Sequence, residues 1–121
     1  MAVILIVEDE VFTRELAGIF IKDWGHTVLF AGEVDEALAV LRSSQPIDAL
    51  FTDIYLKTAA FGGCDLAHQA MTLRPDLKVL YTTGNSAGQD LTSRFVSGSH
   101  FLSKPYTPTQ LHASVDGMLA I

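Results

Sequence analysis

Short aliphatic runs alternate along the chain with longer stretches in which apolar residues recur at helical spacing. Ala2 to Val7 is continuously apolar, the pattern of a strand buried on both faces of a parallel sheet. After an acidic turn, Phe12, Leu16, Ile19 and Phe20 fall at i, i+4, i+7 and i+8, which predicts a helix with that stripe on the core and a stop at Gly25. Thr27 to Ala31 reads as a second strand. Val34, Ala37, Leu38 and Leu41 then form another stripe, with Asp35 and Glu36 in the first turn where the helix dipole favours acids, and Ser43-Ser44-Gln45-Pro46 ends it. Ile47 to Asp53 is a short apolar run that finishes in a carboxylate. The following Tyr55 to Gly63 reads as a loop whose paired glycines let the backbone turn into a helix bearing Leu66, Ala70 and Leu73, closed by Arg74-Pro75. Lys78 to Thr82 is a fourth strand, and a weak helix around Leu91 and Phe95 follows Gly84 to Gly88. His100 to Ser103 is the last strand. Thr107-Pro108-Thr109-Gln110 has the capping-box pattern with proline in the first helical position, and Leu111, Val115, Met118 and Leu119 give the final stripe.

Five β-α units predict an α/β fold, a doubly wound, five-stranded parallel sheet with helices on both faces. No linker or repeat interrupts them, so the expectation is one domain over residues 1–121 with no output domain. A hydrophobic content of 49% is ample for one core. The net charge of −6 argues against nucleic acid or an anionic membrane surface as partner, because the average field repels both. Cys64 is the single cysteine, which excludes an internal disulfide and reads as a packing thiol. The four histidines, His26, His68, His100 and His112, lack metal-ligand spacing. No run is long enough to cross a bilayer and no charged segment opens a signal peptide, so the cytoplasm is the default location.

In an open α/β sheet, ligands bind at the carboxyl ends of the strands. Four apolar runs here end in reactive groups: Glu8-Asp9-Glu10, Asp53, Thr83 and Lys104. An acidic helix start is also what the dipole alone favours. Acids at the first strand-to-helix turn repel the phosphate that such a turn holds in nucleotide-binding folds. Joined by Asp53, they make a cluster that needs a cation or protons, and a hard divalent ion such as Mg²⁺ suits it. Taken singly, Thr83 is a strand-end hydroxyl and Lys104 a surface lysine; their coincidence at one edge favours a site.

These motifs, Val7-Glu8-Asp9-Glu10, Asp53, Thr83-Gly84 and Lys104-Pro105, in order and over essentially the whole chain, resemble the receiver domain of the two-component response-regulator family. The resemblance implies the flavodoxin-like strand order 2-1-3-4-5. It makes Asp53 the phosphoacceptor, places Asp9, Asp53 and the Tyr55 carbonyl on Mg²⁺, and puts Glu8 on metal-bound water. Thr83 and Lys104 bind phosphoryl oxygens, Thr83 and Phe101 form a switch, and Lys104-Pro105 is cis. Tyr55 and Asn85 flank the path of an attacking water. The chain departs from the family in the loop after Asp53, where Leu56-Lys57 replaces a Met-Pro pair and the glycine, Gly63, comes later.

The expectation is therefore a phosphoacceptor signalling domain rather than an enzyme. It takes a phosphoryl group from a histidine kinase or histidine phosphotransfer protein and signals to a downstream protein target, or to a second copy as a homodimer through the 88–121 face. The alternatives are a small Mg²⁺-dependent phosphohydrolase with an aspartyl nucleophile, which lacks a second carboxylate two places after Asp53, a flavin module, and a degenerate receiver that only binds partners.

Overall fold

The computed structural model describes residues 1–57, 59–84 and 88–120. Five parallel strands, β1 (Val3–Val7), β2 (Thr27–Ala31), β3 (Ala49–Asp53), β4 (Lys78–Thr83) and β5 (His100–Ser103), lie in the order β2-β1-β3-β4-β5. They alternate with α1 (Val11–Asp23), α2 (Val34–Arg42), α3 (Gly62–Leu73), α4 (Gln89–Thr92) and α5 (Pro108–Leu119). No helix among the described residues is long and apolar enough to cross a membrane.

Strand residues alternate between two apolar layers, as their period of two requires. Ile4, Ile6, Ala49, Phe51 and Leu80 face α1 and α5, meeting Ala17, Ile21, Leu111, Val115 and Met118. Leu5, Val7, Leu50, Val79 and Tyr81 face the opposite layer, built on Ala37, Leu38, Leu41, Leu66, Ala67, Ala70 and Leu91. The runs are continuously hydrophobic because the central strands are covered on both sides. The Lys104-Pro105 peptide is cis. The α5 capping box forms as its sequence indicates: Gln110 N–H donates to Thr107 Oγ1 at 3.1 Å, and Thr107 N–H to Gln110 Oε1 at 2.8 Å.

Helix α1 corrects the sequence reading. Its core face is Ala17 and Ile21, flanked by Phe20 and Trp24, while Phe12 is 80% and Ile19 62% exposed. The stripe at i, i+4 and i+7 is real, but Phe12, Leu16 and Ile19 point away from the sheet. Periodicity finds a face without saying which way it looks. Leu73 of α3 is likewise exposed. Helix α4 is a single turn without a side-chain cap, shorter than the Leu91–Phe95 stretch suggested.

Candidate functional site

Because β1, β3 and β4 are neighbours in register, their carboxyl ends bring distant residues to one edge. The turn after β1 supplies Glu8 and Asp9, β3 ends in Asp53, β4 ends in the buried Thr83, and Lys104 follows β5. Lys104 Nζ donates to Glu8 Oε1 at 2.9 Å and to Asp53 Oδ2 at 3.0 Å. One oxygen each from Glu8, Asp9 and Asp53 lies within 4.8 Å of the others. Thr82, beside Thr83, instead bonds the Leu102 carbonyl at 2.7 Å, fastening β4 to β5.

Three carboxylates face one ammonium, and both Glu8 and Asp53 are buried. Burial pushes Glu8 up to about 7, reinforced by the neighbouring Asp53 carboxylate and opposed by Lys104. Burial also opposes the charge of Lys104, yet the hydrogen bond to Glu8 and the Asp53 charge outweigh it and raise its pKa. The site is short of positive charge. Glu8 Oε2 is buried with no hydrogen-bond partner, a costly state that a cation or its water would relieve. The residues therefore fit a hard divalent ion with carboxylate and water ligands.

The loop after Asp53 is tied to this cluster. Lys57 N–H donates to Asp9 Oδ2 at 2.6 Å, and Leu56 pairs with Ala59 across a short antiparallel bridge. Gly63 N–H donates to Ile54 O at 2.9 Å, and a Cβ on Gly63 would lie 2.0 Å from the Asp53 carbonyl oxygen. The glycine is thus needed for close approach rather than for turning. Among the described residues of the loop, the left-handed one is Phe61, at φ 55°. Its ring lies 5.3 Å from that of Tyr55 and under the Arg94 guanidinium at 3.9 Å.

Phe101 is half-buried and stacks on Phe95 at 5.9 Å, which in turn stacks on Tyr81 at 4.3 Å. Asn85 lies outside the described residues. Cys64 is buried, and burial raises its thiol to about 11, as suits a packing group. Two contributors were not visible in the sequence. Arg14 Nη1 donates to the Glu8 carbonyl at 2.9 Å and so holds the acidic turn, although an arginine in the first turn of a helix reads as surface. The second is an open groove of about 580 Å³ beside the edge, lined by Phe12, Leu16, Phe20, Lys104, Pro105 and Tyr106.

The family description "response regulator receiver domain" matches residues 4–116. The probable transcriptional regulatory protein TcrX of Mycobacterium tuberculosis is 27% identical over 105 residues, which is 86% of this chain and 44% of TcrX. The nitrogen assimilation regulatory protein NtrX of Azorhizobium caulinodans is 27% identical over 109 residues, 89% of this chain and 24% of NtrX. The chain thus spans less than half the length of these relatives. A response regulator receiver protein from Sinorhizobium medicae superposes with a TM-score of 0.89 at 28% identity, over 98% of this chain and 94% of its own.

Proposed function

Because this chain belongs to the response regulator receiver domain family, we propose that it is a phosphoacceptor signalling domain that takes a phosphoryl group onto Asp53 in a Mg²⁺-dependent reaction. The donor is a histidine kinase or a histidine phosphotransfer protein, and the compartment is the cytoplasm. The observation that carries this reading is the charge imbalance around Asp53: three converging carboxylates, one lysine and a buried, unpartnered Glu8 oxygen.

Asp9, Asp53 and the Tyr55 carbonyl would hold Mg²⁺, with Glu8 engaging a water bound to it, and the ion would supply charge neutralisation to the phosphoryl oxygens. The rest falls to the protein. Lys104 engages Asp53 Oδ2, which leaves the second carboxylate oxygen to attack phosphorus. An O–P bond forms as the donor's N–P bond breaks, and the electron pair returns to the imidazole nitrogen. Such a transfer depends on position and charge stabilisation more than on covalent chemistry. Lys104 is a point charge well placed to follow the incoming negative charge onto a phosphoryl oxygen. The Thr83 hydroxyl takes another, and its movement makes room beside β5 for Phe101. The donor docks on the outward stripe of α1, whose groove borders Lys104. The output leaves through the 88–120 face, to a downstream target or a second copy.

Mass spectrometry after incubation with acetyl phosphate and Mg²⁺ tests this. One added phosphoryl group is expected on the wild type and none on Asp53→Asn, while Asp9→Asn should need more Mg²⁺. Unchanged labelling of Asp53→Asn would overturn the assignment.

A further inference from the structure

The long loop between β3 and α3 does more than close over the site. Near one end Lys57 N–H holds Asp9 Oδ2, and at the other Gly63 is seated on the Asp53 backbone, so the segment is fastened to one clustered carboxylate and to the main chain of the residue that carries another. Between them stands Phe61, whose left-handed backbone is rare for a bulky residue and persists only where its surroundings hold it. Tyr55, two residues after Asp53, packs on one part of the Phe61 ring. Arg94, just beyond α4, lays its guanidinium over the ring at 3.9 Å. The same segment is fixed to α3, since His68 Nε2 lies 2.7 Å from the Arg94 carbonyl as its hydrogen-bond donor. Phe101 meets the same segment at a different residue, through its stack on Phe95.

We propose that Phe61 and Arg94 form a latch that carries metal occupancy of the carboxylate cluster to α4, by a route separate from Thr83 and Phe101. This rests on the Mg²⁺ site proposed above. A cation taking Asp9 draws on the carboxylate that now accepts from Lys57, and drawing in the Tyr55 carbonyl would move the neighbouring ring. Both displacements reach Phe61, and the guanidinium follows the face it covers. The metal alone offers no phosphoryl oxygen to Thr83, so a response of α4 to Mg²⁺ without phosphoryl group isolates this route. The latch lets the domain register a loaded site before the phosphoryl group arrives. A ligand shifts such a two-state contact only through its differential affinity for the two arrangements, which the Asp9 and Tyr55 contacts provide.

The experiment is a Mg²⁺ titration of the full chain followed by backbone amide chemical shifts, in the wild type and in Arg94→Gln and Phe61→Leu. In the wild type, amides of residues 8, 9 and 53–57 and those of residues 89–96 should move with one midpoint. In both variants the first set should still move and the second should lose most of its amplitude. Adding beryllofluoride should still shift residues 89–96 in the variants, showing that the segment can respond through Thr83. Silence of residues 89–96 in the wild type, or their unchanged movement in both variants, overturns the latch. Absence of any Mg²⁺ shift at residues 8, 9 and 53 overturns the metal site itself, and the latch with it.

Discussion

Replacing Gly63 by alanine adds one methyl group at the place where α3 meets the end of β3. The new Cβ would lie 2.0 Å from the Asp53 carbonyl oxygen and 2.8 Å from both the Asp53 carbonyl carbon and the Ile54 Cα. All three are backbone atoms, so no change of rotamer relieves the contact, and either β3 or the first turn of α3 must move. Overpacking of this kind costs about 1–3 kcal/mol. Alanine also favours a helix interior over glycine by about 1 kcal/mol, and by less in a first turn. The clash wins, and we expect a net loss of about 2 kcal/mol. Gly117 in α5 is the matched control, because a Cβ there meets nothing within 4 Å. Only propensity acts at that position, and Gly117→Ala should gain up to about 1 kcal/mol. Urea denaturation reads both, as midpoints moving in opposite directions at a common slope. A Gly63→Ala variant as stable as the wild type would show that the start of α3 does not press on the Asp53 backbone, and the reasoning would fall.

His26 Nδ1 accepts the Ala2 N–H at 3.0 Å, and burial first, with the N-terminal amine and His112 against Asp116, lowers its pKa below 6.5. The neutral ring is the one the fold prefers, so its contribution is full above 6.5 and is lost as pH falls from there towards the lowered value. His26→Ala should therefore lose less stability than the wild type on acidification through that window; parallel melting curves would contradict this. Tyr55→Ala should speed loss of the phosphoryl group severalfold once the donor is removed, since a bulky side chain beside Asp53 hinders in-line water; an unchanged or slower decay counts against it. Thr107→Ala breaks the α5 capping box and should cost about 1 kcal/mol in urea without changing the slope, whereas an unaltered midpoint would mean the cap is idle.

Strand positions were legible because each depended on a local pattern that the fold had no reason to overrule, whereas the strand order came only with the family resemblance. Val3 to Val7 is apolar at every position since both its faces are covered, and Asp53 stands out as the polar end of such a run. Thr107 and Gln110 declare their cap within four residues. The stripe on α1 was legible as a stripe, but its direction depends on what packs behind it, and Ala17 and Ile21 fill that space with fewer apolar positions than Phe12, Leu16 and Ile19 display outside. Gly63 could be found but not explained, because its reason is a carbonyl ten positions earlier that presses on it in space. Phe61 and Arg94 were invisible altogether. An aromatic residue in the left-handed region and an arginine covering it leave no periodic trace, and their meeting requires α3 and α4 to be placed first.

The bridge from Lys104 to Glu8 joins residues 96 positions apart. Synthesis runs from the amino terminus, so every carboxylate of the cluster leaves the ribosome before the one lysine that binds it. Until β5 is made, Glu8 and Asp53 lack the lysine that bonds them both, and only an external cation could offset the clustered charge. Closure of the edge therefore coincides with arrival of the last strand. An unfinished chain holds an unbalanced edge, and the charge pairing around Asp53 is completed only with the finished sheet.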